Sequence, residues 1–157
     1  MSGNTERKKI ILIGRSTAGK TTMAQRITAR EIAYKKTQAL GVFDDFIFDT
    51  PGEYLEVRGY RSALTVTSAE ADIIVFVKSS KEPTSLFPPA YSSLFLGKPV
   101  VGVVTKIDIA SPKEIQESVE SLRLAGAGRI FKVSSYTGEG IDEFLEYLEE
   151  NGKSEVR

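Results

Sequence analysis

Residues 14–21 read Gly-Arg-Ser-Thr-Ala-Gly-Lys-Thr and follow directly on the apolar run Ile10-Ile11-Leu12-Ile13. A glycine, four further residues, then Gly-Lys-Thr is the spacing of a loop that wraps a phosphate group. This stretch limits the possible folds more than any other, because such a loop works only between a buried strand and the first turn of a helix. There the helix dipole and a row of backbone N–H groups converge on one anion. Gly14 and Gly19 supply backbone freedom that residues with a Cβ lack. The expected cradle is Gly14, Arg15, Ser16, Thr17, Ala18, Gly19, Lys20, Thr21 and Thr22, with Lys20 reaching toward the β- and γ-phosphates and the Thr21 hydroxyl offered to magnesium.

Composition narrows the remaining chemistry. Lys plus Arg and Asp plus Glu are both 21, so the net charge is zero and no basic field for nucleic acid is expected. The chain has no cysteine and no histidine. Thiolate chemistry, imidazole general bases, Ser-His triads and His-Cys zinc sites are therefore excluded, which leaves oxygen-ligated magnesium as the plausible metal. Residues 1–9 are polar and without an apolar run, so neither a signal peptide nor a membrane anchor is expected, and a cytoplasmic location is.

Taken in order, the pattern alternates strands and helices. Residues 20 to about 30 place Met23, Ala24 and Ile27 at helical spacing, and residues 34–41 read as a polar connection. Asp44-Asp45 reads as a tight turn between Leu40-Gly41-Val42-Phe43 and Phe46-Ile47-Phe48, an antiparallel edge hairpin whose second strand delivers Asp49. Residues 59–69 read as a helix with Tyr60, Leu64 and Val66 partly buried. Unalternating apolar runs at 72–77 and 99–104 read as strands buried on both faces, separated by a proline-rich loop and a short helix near residues 90–95. Ser111-Pro112 opens a helix carrying Ile115, Val119 and Leu122, with Gly126 beyond its end. A last strand over 129–133 and a last helix with Ile141, Phe144, Leu145 and Leu148 complete the chain. The expected fold is α/β, a three-layer, doubly wound, mostly parallel sheet. It forms a single domain over residues 1–157, with a polar lead-in at 1–8 and a polar tail at 152–157.

Three further motifs fall at strand ends, where ligands of such sheets bind. Asp49-Thr50-Pro51-Gly52 places a carboxylate where magnesium can be held through water, and Gly52 can bring a bare N–H to a γ-phosphate. The tetrapeptide is also a common turn, and the upstream loop decides for the metal reading. Thr105-Lys106-Ile107-Asp108 ends another strand; a carboxylate there accepts two hydrogen bonds from guanine and rejects adenine, while the Lys106 stem can cover the base. A solvated loop has the same composition. Ser134-Ser135-Tyr136-Thr137-Gly138 can close over the base through backbone N–H groups, or be a plain turn.

This ordered set resembles the small Ras-like GTPases. More narrowly, Lys36-Thr37-Gln38-Ala39, Asp49-Thr50-Pro51-Gly52-Glu53-Tyr54-Leu55-Glu56 and Glu70-Ala71-Asp72-Ile73-Ile74 resemble the EutP/PduV family of propanediol and ethanolamine utilisation proteins. Residues 99–111 look closest to its propanediol branch. The resemblance implies a nucleotide fold associated with bacterial microcompartments and bound magnesium with GTP or GDP, or ATP or ADP. It implies an activity described both as GTPase-like and as ATP-dependent acetate kinase, and it assigns Thr37 as the threonine that senses γ-phosphate and magnesium. The implied catalytic set is Lys20, Thr37, Gly52 and Glu53; the metal set is Thr21, Thr37 and Asp49; Thr105, Lys106, Asp108, Ser134 and Ser135 hold the base.

Three departures qualify this. Residues 1–9 lack the amphipathic pattern of an encapsulation helix, so targeting to a microcompartment lumen is not expected. Thr105 stands where many relatives have asparagine, which weakens the guanine preference. Glu53 stands where many place the glutamine that orients the attacking water, so slow hydrolysis is expected. Three functions fit these residues: a magnesium-dependent nucleotide switch, a carboxylate kinase using Arg15, Arg58 or Arg61 for its acceptor, and a non-enzymatic module docking on a microcompartment shell or other protein. No membrane or nucleic-acid partner is expected.

Overall fold

Strand β1 (Ile10–Ile13) is buried at all four positions and lies inside the sheet, which is what its unalternating apolar sequence requires. The computed structural model describes residues 9–38, 47–95 and 97–152. Five parallel strands follow the order β2-β1-β3-β4-β5: β2 (Ile47–Asp49), β1, β3 (Ile73–Ser79), β4 (Val100–Thr105) and β5 (Arg129–Lys132). Register places Leu12 beside Asp49 and Ser79 beside Thr105, so the loops after these strands open on one edge. All described pairings are parallel; the first half of the expected edge hairpin, residues 40–43, lies outside the described residues.

The two faces of the sheet bury different helices. Ile10, Leu12, Val75 and Val77 pack on one face against Met23 and Ile27 of α1 (Lys20–Gln38) and Phe144 and Leu148 of α5 (Ile141–Gly152). On the other, Ile11, Ile13, Ile74 and Phe76 pack against Leu55 of α2 (Glu53–Glu56), Leu64 of α3 (Arg61–Ser68) and Leu122 of α4 (Pro112–Leu124). Each such side chain, fully buried, contributes roughly 1.5–3 kcal/mol. The proline-rich loop after β3 is pinned by Phe87 stacking on Phe76 at 4.6 Å between ring centroids. At α4, Ser111 accepts from the Glu114 N–H while the Glu114 carboxylate accepts from the Ser111 N–H, a closed capping box behind Pro112.

Two expectations are corrected. Helix α1 does not stop near residue 30 but runs to Gln38. The amphipathic pattern fades there, yet Glu31, Ala33, Lys35, Lys36 and Gln38 are all good helix formers and continue it. In the α3 region Leu64 is buried, but Tyr60 and Val66 are 49% and 74% exposed. The segment is broken into α2, a 3-10 turn at Arg58–Tyr60 and α3, so a single helical face does not extend along it.

Candidate functional site

The turn between β1 and α1 is shaped by backbone contacts that exclude side chains. A Cβ on Gly14 would lie 2.4 Å from the Val77 carbonyl oxygen of β3, so the strand-to-loop exit admits only glycine. Gly19 has φ +94°, the left-handed region that glycine enters without strain. The Ala18 N–H closes the turn on the Arg15 carbonyl at 3.0 Å. Lys20, 4% exposed, lies inside it, its Nζ donating to the Gly14 and Arg15 carbonyls at 2.9 Å each. An ammonium held against the loop, beside the first N–H groups of a helix, makes a focused positive field for an anion.

The second arm arrives from β2. Asp49, its last residue, accepts a hydrogen bond from the Thr21 hydroxyl at 2.5 Å. Hydroxyl and carboxylate oxygens brought together beside a phosphate loop are the donor set of a hard divalent cation, so the residues fit magnesium. Thr50 fastens this arm to β1: its N–H and hydroxyl both donate to the Leu12 carbonyl, at 3.3 and 2.8 Å. A Cβ on Gly52 would fall 2.2 Å from the Ser16 nitrogen, so the two backbones touch. Glu53 then opens α2, and the Glu56 carboxylate from that helix accepts the Ser16 N–H at 2.8 Å. This bond holds the Glu56 carboxyl below its ordinary pKa, with Arg15 and Lys20 adding to the effect and partial desolvation opposing it. Arg15 itself pairs with Glu82 at 3.5 Å.

The third arm ends β4 and serves as a brace. Thr105, 2% exposed, turns inward and donates to the Ala18 carbonyl at 2.6 Å. Lys106 adopts a left-handed conformation (φ 63°), unusual for a side-chain-bearing residue. It is held there by Ser80, whose hydroxyl donates to the Thr105 and Lys106 carbonyls at 2.8 and 3.1 Å. The Lys106 Nζ reaches back to the Thr17 carbonyl at 2.8 Å. Asp108 follows in the 3-10 turn Ile107–Ile109, exposed.

The fourth arm is the turn after β5. Ser134 is fully buried and builds it: its N–H donates to the Glu139 carbonyl, and its own hydroxyl and carbonyl accept from the Thr137 and Gly138 N–H groups. The Ser135 hydroxyl is enclosed with no hydrogen-bond partner among the described residues, a polar group available to a ligand.

The structure thus brings Gly14, Arg15, Ser16, Thr17, Ala18, Gly19, Lys20, Thr21, Asp49, Gly52, Thr105 and Lys106 together around one loop. Thr22 is exposed on the first turn of α1. Thr37 lies in the last turn of α1 and not in a polar connection, about 25 Å along the helix axis from Lys20 at 1.5 Å per residue. The Glu53, Thr37, Arg58 and Arg61 side chains fall outside the described residues. The reading of residue types missed Glu56 and Ser80 as contacts of these arms, because both act through folds of chain 40 and about 25 residues away.

Comparison with known proteins places this geometry. A family described as ethanolamine utilisation – propanediol utilisation, PduV-EutP, matches residues 7–150. The propanediol utilization protein PduV of Citrobacter freundii is 42% identical over 141 residues, 90% of this chain and 93% of the relative. The probable acetate kinase EutP of Escherichia coli K12 is 26% identical over 94% of this chain and 93% of the relative. Among solved structures, translation elongation factor SelB of Methanococcus maripaludis, in complex with the GTP analogue GPPNHP, shares the fold at TM-score 0.63 and 20% identity. The match covers 99% of this chain and 36% of SelB.

Proposed function

The chain belongs to the PduV-EutP family of ethanolamine and propanediol utilisation proteins, and from that premise we propose that it is a GTPase-like, magnesium-dependent nucleotide-binding protein associated with bacterial microcompartments. One observation carries the reading: Lys20, the Thr21–Asp49 pair and the bare backbone of Gly52 converge on the loop at residues 14–19. Each supplies something a triphosphate needs. Lys20 neutralises β- and γ-phosphate oxygens, and the amides of the loop and of α1 donate to them. Thr21 and Asp49 would hold magnesium, whose charge offsets that of the phosphates when bound.

Asp108 is the base-reading group in this proposal. An exposed carboxylate on a braced turn accepts from the two N–H donors of guanine, and adenine lacks that pair. Ser135 adds, at the same end, a hydroxyl with no hydrogen-bond partner among the described residues. Water attack on the γ-phosphorus, which breaks its bond to the β,γ-bridging oxygen and releases nucleoside diphosphate and inorganic phosphate, is slow because Glu53 follows Gly52 where an amide would orient that water better.

A second reading is an ATP-dependent kinase that passes the γ-phosphoryl to a carboxylate such as acetate; the relative named probable acetate kinase favours it. Turnover decides between the two. With GTP and magnesium alone, phosphate release that acetate does not accelerate supports the switch. Release of ADP from ATP that depends on acetate and vanishes in Lys20→Ala establishes the kinase instead.

A further inference from the structure

A second acidic side chain, besides Asp49, reaches the phosphate loop and accepts a hydrogen bond from its backbone. The Ser16 N–H lies where the Asp49-to-Gly52 arm meets the loop, the side on which a terminal phosphate belongs. Its hydrogen bond is given to Glu56 Oε2, across forty residues of chain. The geometry is tightly set. The Leu55 and Glu56 N–H groups both donate to the Gly52 carbonyl at 3.0 Å, so α2 starts on Gly52 and carries Glu56 over Ser16. Arg15, the neighbouring cation, pairs with Glu82, while the Glu56 carboxylate takes the Ser16 backbone N–H. A carboxylate oxygen on a loop amide presents the charge and acceptor geometry of a phosphate oxygen.

We propose that Glu56 determines the choice between nucleoside triphosphate and diphosphate: its carboxylate competes with the terminal phosphate for the Ser16 N–H. A triphosphate binds only by displacing it, whereas a diphosphate binds beside it. Displacement moves α2, a four-residue helix bounded by Gly52 and the 3-10 turn at Arg58–Tyr60, and so carries the presence of the third phosphate to the surface of α2 and α3. The inference rests on the phosphate-binding reading of residues 14–21.

The test is calorimetric titration of the full chain, with magnesium, using GDP and the non-hydrolysable β,γ-imido analogue of GTP. The variants are Glu56→Ala and the isosteric Glu56→Gln. Glu56 is exposed, so both are expected to fold. The triphosphate analogue should bind about tenfold more tightly to both variants than to the parent, while GDP affinity changes less than about twofold. Equal changes for both nucleotides, or none, overturn the inference and leave the phosphate reading standing. Failure of the parent to bind either nucleotide overturns both. As a second readout, the Glu56 carboxyl resonance of the parent should shift on adding the triphosphate analogue and stay in place with GDP; the same shift with both contradicts the competition.

Discussion

The two ends of the site are built on opposite plans. At the phosphate end, two backbones close on the loop, Gly14 and Gly52 pressing against Val77 and Ser16, while Lys20 donates to the Gly14 and Arg15 carbonyls and Thr21 to the Asp49 carboxylate. At the base end, the conspicuous polar residues are turned inward as struts. Thr105 and Lys106 spend their side chains on the Ala18 and Thr17 carbonyls of the phosphate loop, and Ser134 on its own turn. Of the residues expected to hold the base, Asp108 is exposed, and the Ser135 hydroxyl is enclosed with no hydrogen-bond partner among the described residues. In the proposed function the difference corresponds to separate tasks: one end would supply affinity through charge, and the other would supply discrimination while its struts hold the first in shape.

Substitutions at each end test that division. The largest effect is expected from Lys20→Ala, which should weaken binding of every nucleotide by more than about 100-fold without changing the preference between bases, measured with fluorescent guanine and adenine nucleotides. Next, Asp108→Ala should lower the GTP-to-ATP affinity ratio by about 10-fold or more while ATP binding hardly moves. Equal loss for both bases would mean that the base end also carries affinity, and the comparison would break.

Thr105→Val sharpens it from the other side. The Ala18 carbonyl would lose its buried partner, at a cost of roughly 1–3 kcal/mol in denaturant unfolding, and GTP and ATP affinities should fall together because the segment loosened is the phosphate loop itself. The smallest effect concerns α4, which starts just after the Asp108 turn. The Ser111 N–H, then Lys81, hold the Glu114 carboxyl below its ordinary pKa. A lowered folded-state pKa stabilises above the ordinary glutamate range, and that contribution is lost as pH falls through the folded value. Glu114→Gln should therefore lower the thermal midpoint slightly near about pH 7 and leave it unchanged near about pH 3.

Much of this was legible in the residues, for identifiable reasons. Glycine spacing after a fully apolar strand encodes a backbone shape directly, and the Ser111-Pro112 start encodes its own cap, so the phosphate loop, the buried strands and α4 could be placed. Thr21 and Asp49 were named as metal residues, and the structure places them in contact. What depends on tertiary reach was not legible. Nothing local to Thr105 says that its hydroxyl turns toward Ala18, and nothing local to Glu56 says that it crosses to Ser16. The length of α1 was misread for a different reason: beyond residue 30 helix propensity persists where apolar periodicity fades, and the latter was the signal followed. The same reading put Thr37 in a polar connection, whereas the structure has it in the last turn of α1.

The central claim is that this cradle binds a magnesium nucleotide, with guanine preferred. It is tested most directly by isothermal titration of the parent chain with GTP and with ATP, each with and without magnesium. The account predicts saturable binding that magnesium strengthens, with GTP at least about tenfold tighter than ATP. Equal affinity for the two nucleotides would contradict the role given to Asp108, and no binding of either in the presence of magnesium would contradict the account as a whole.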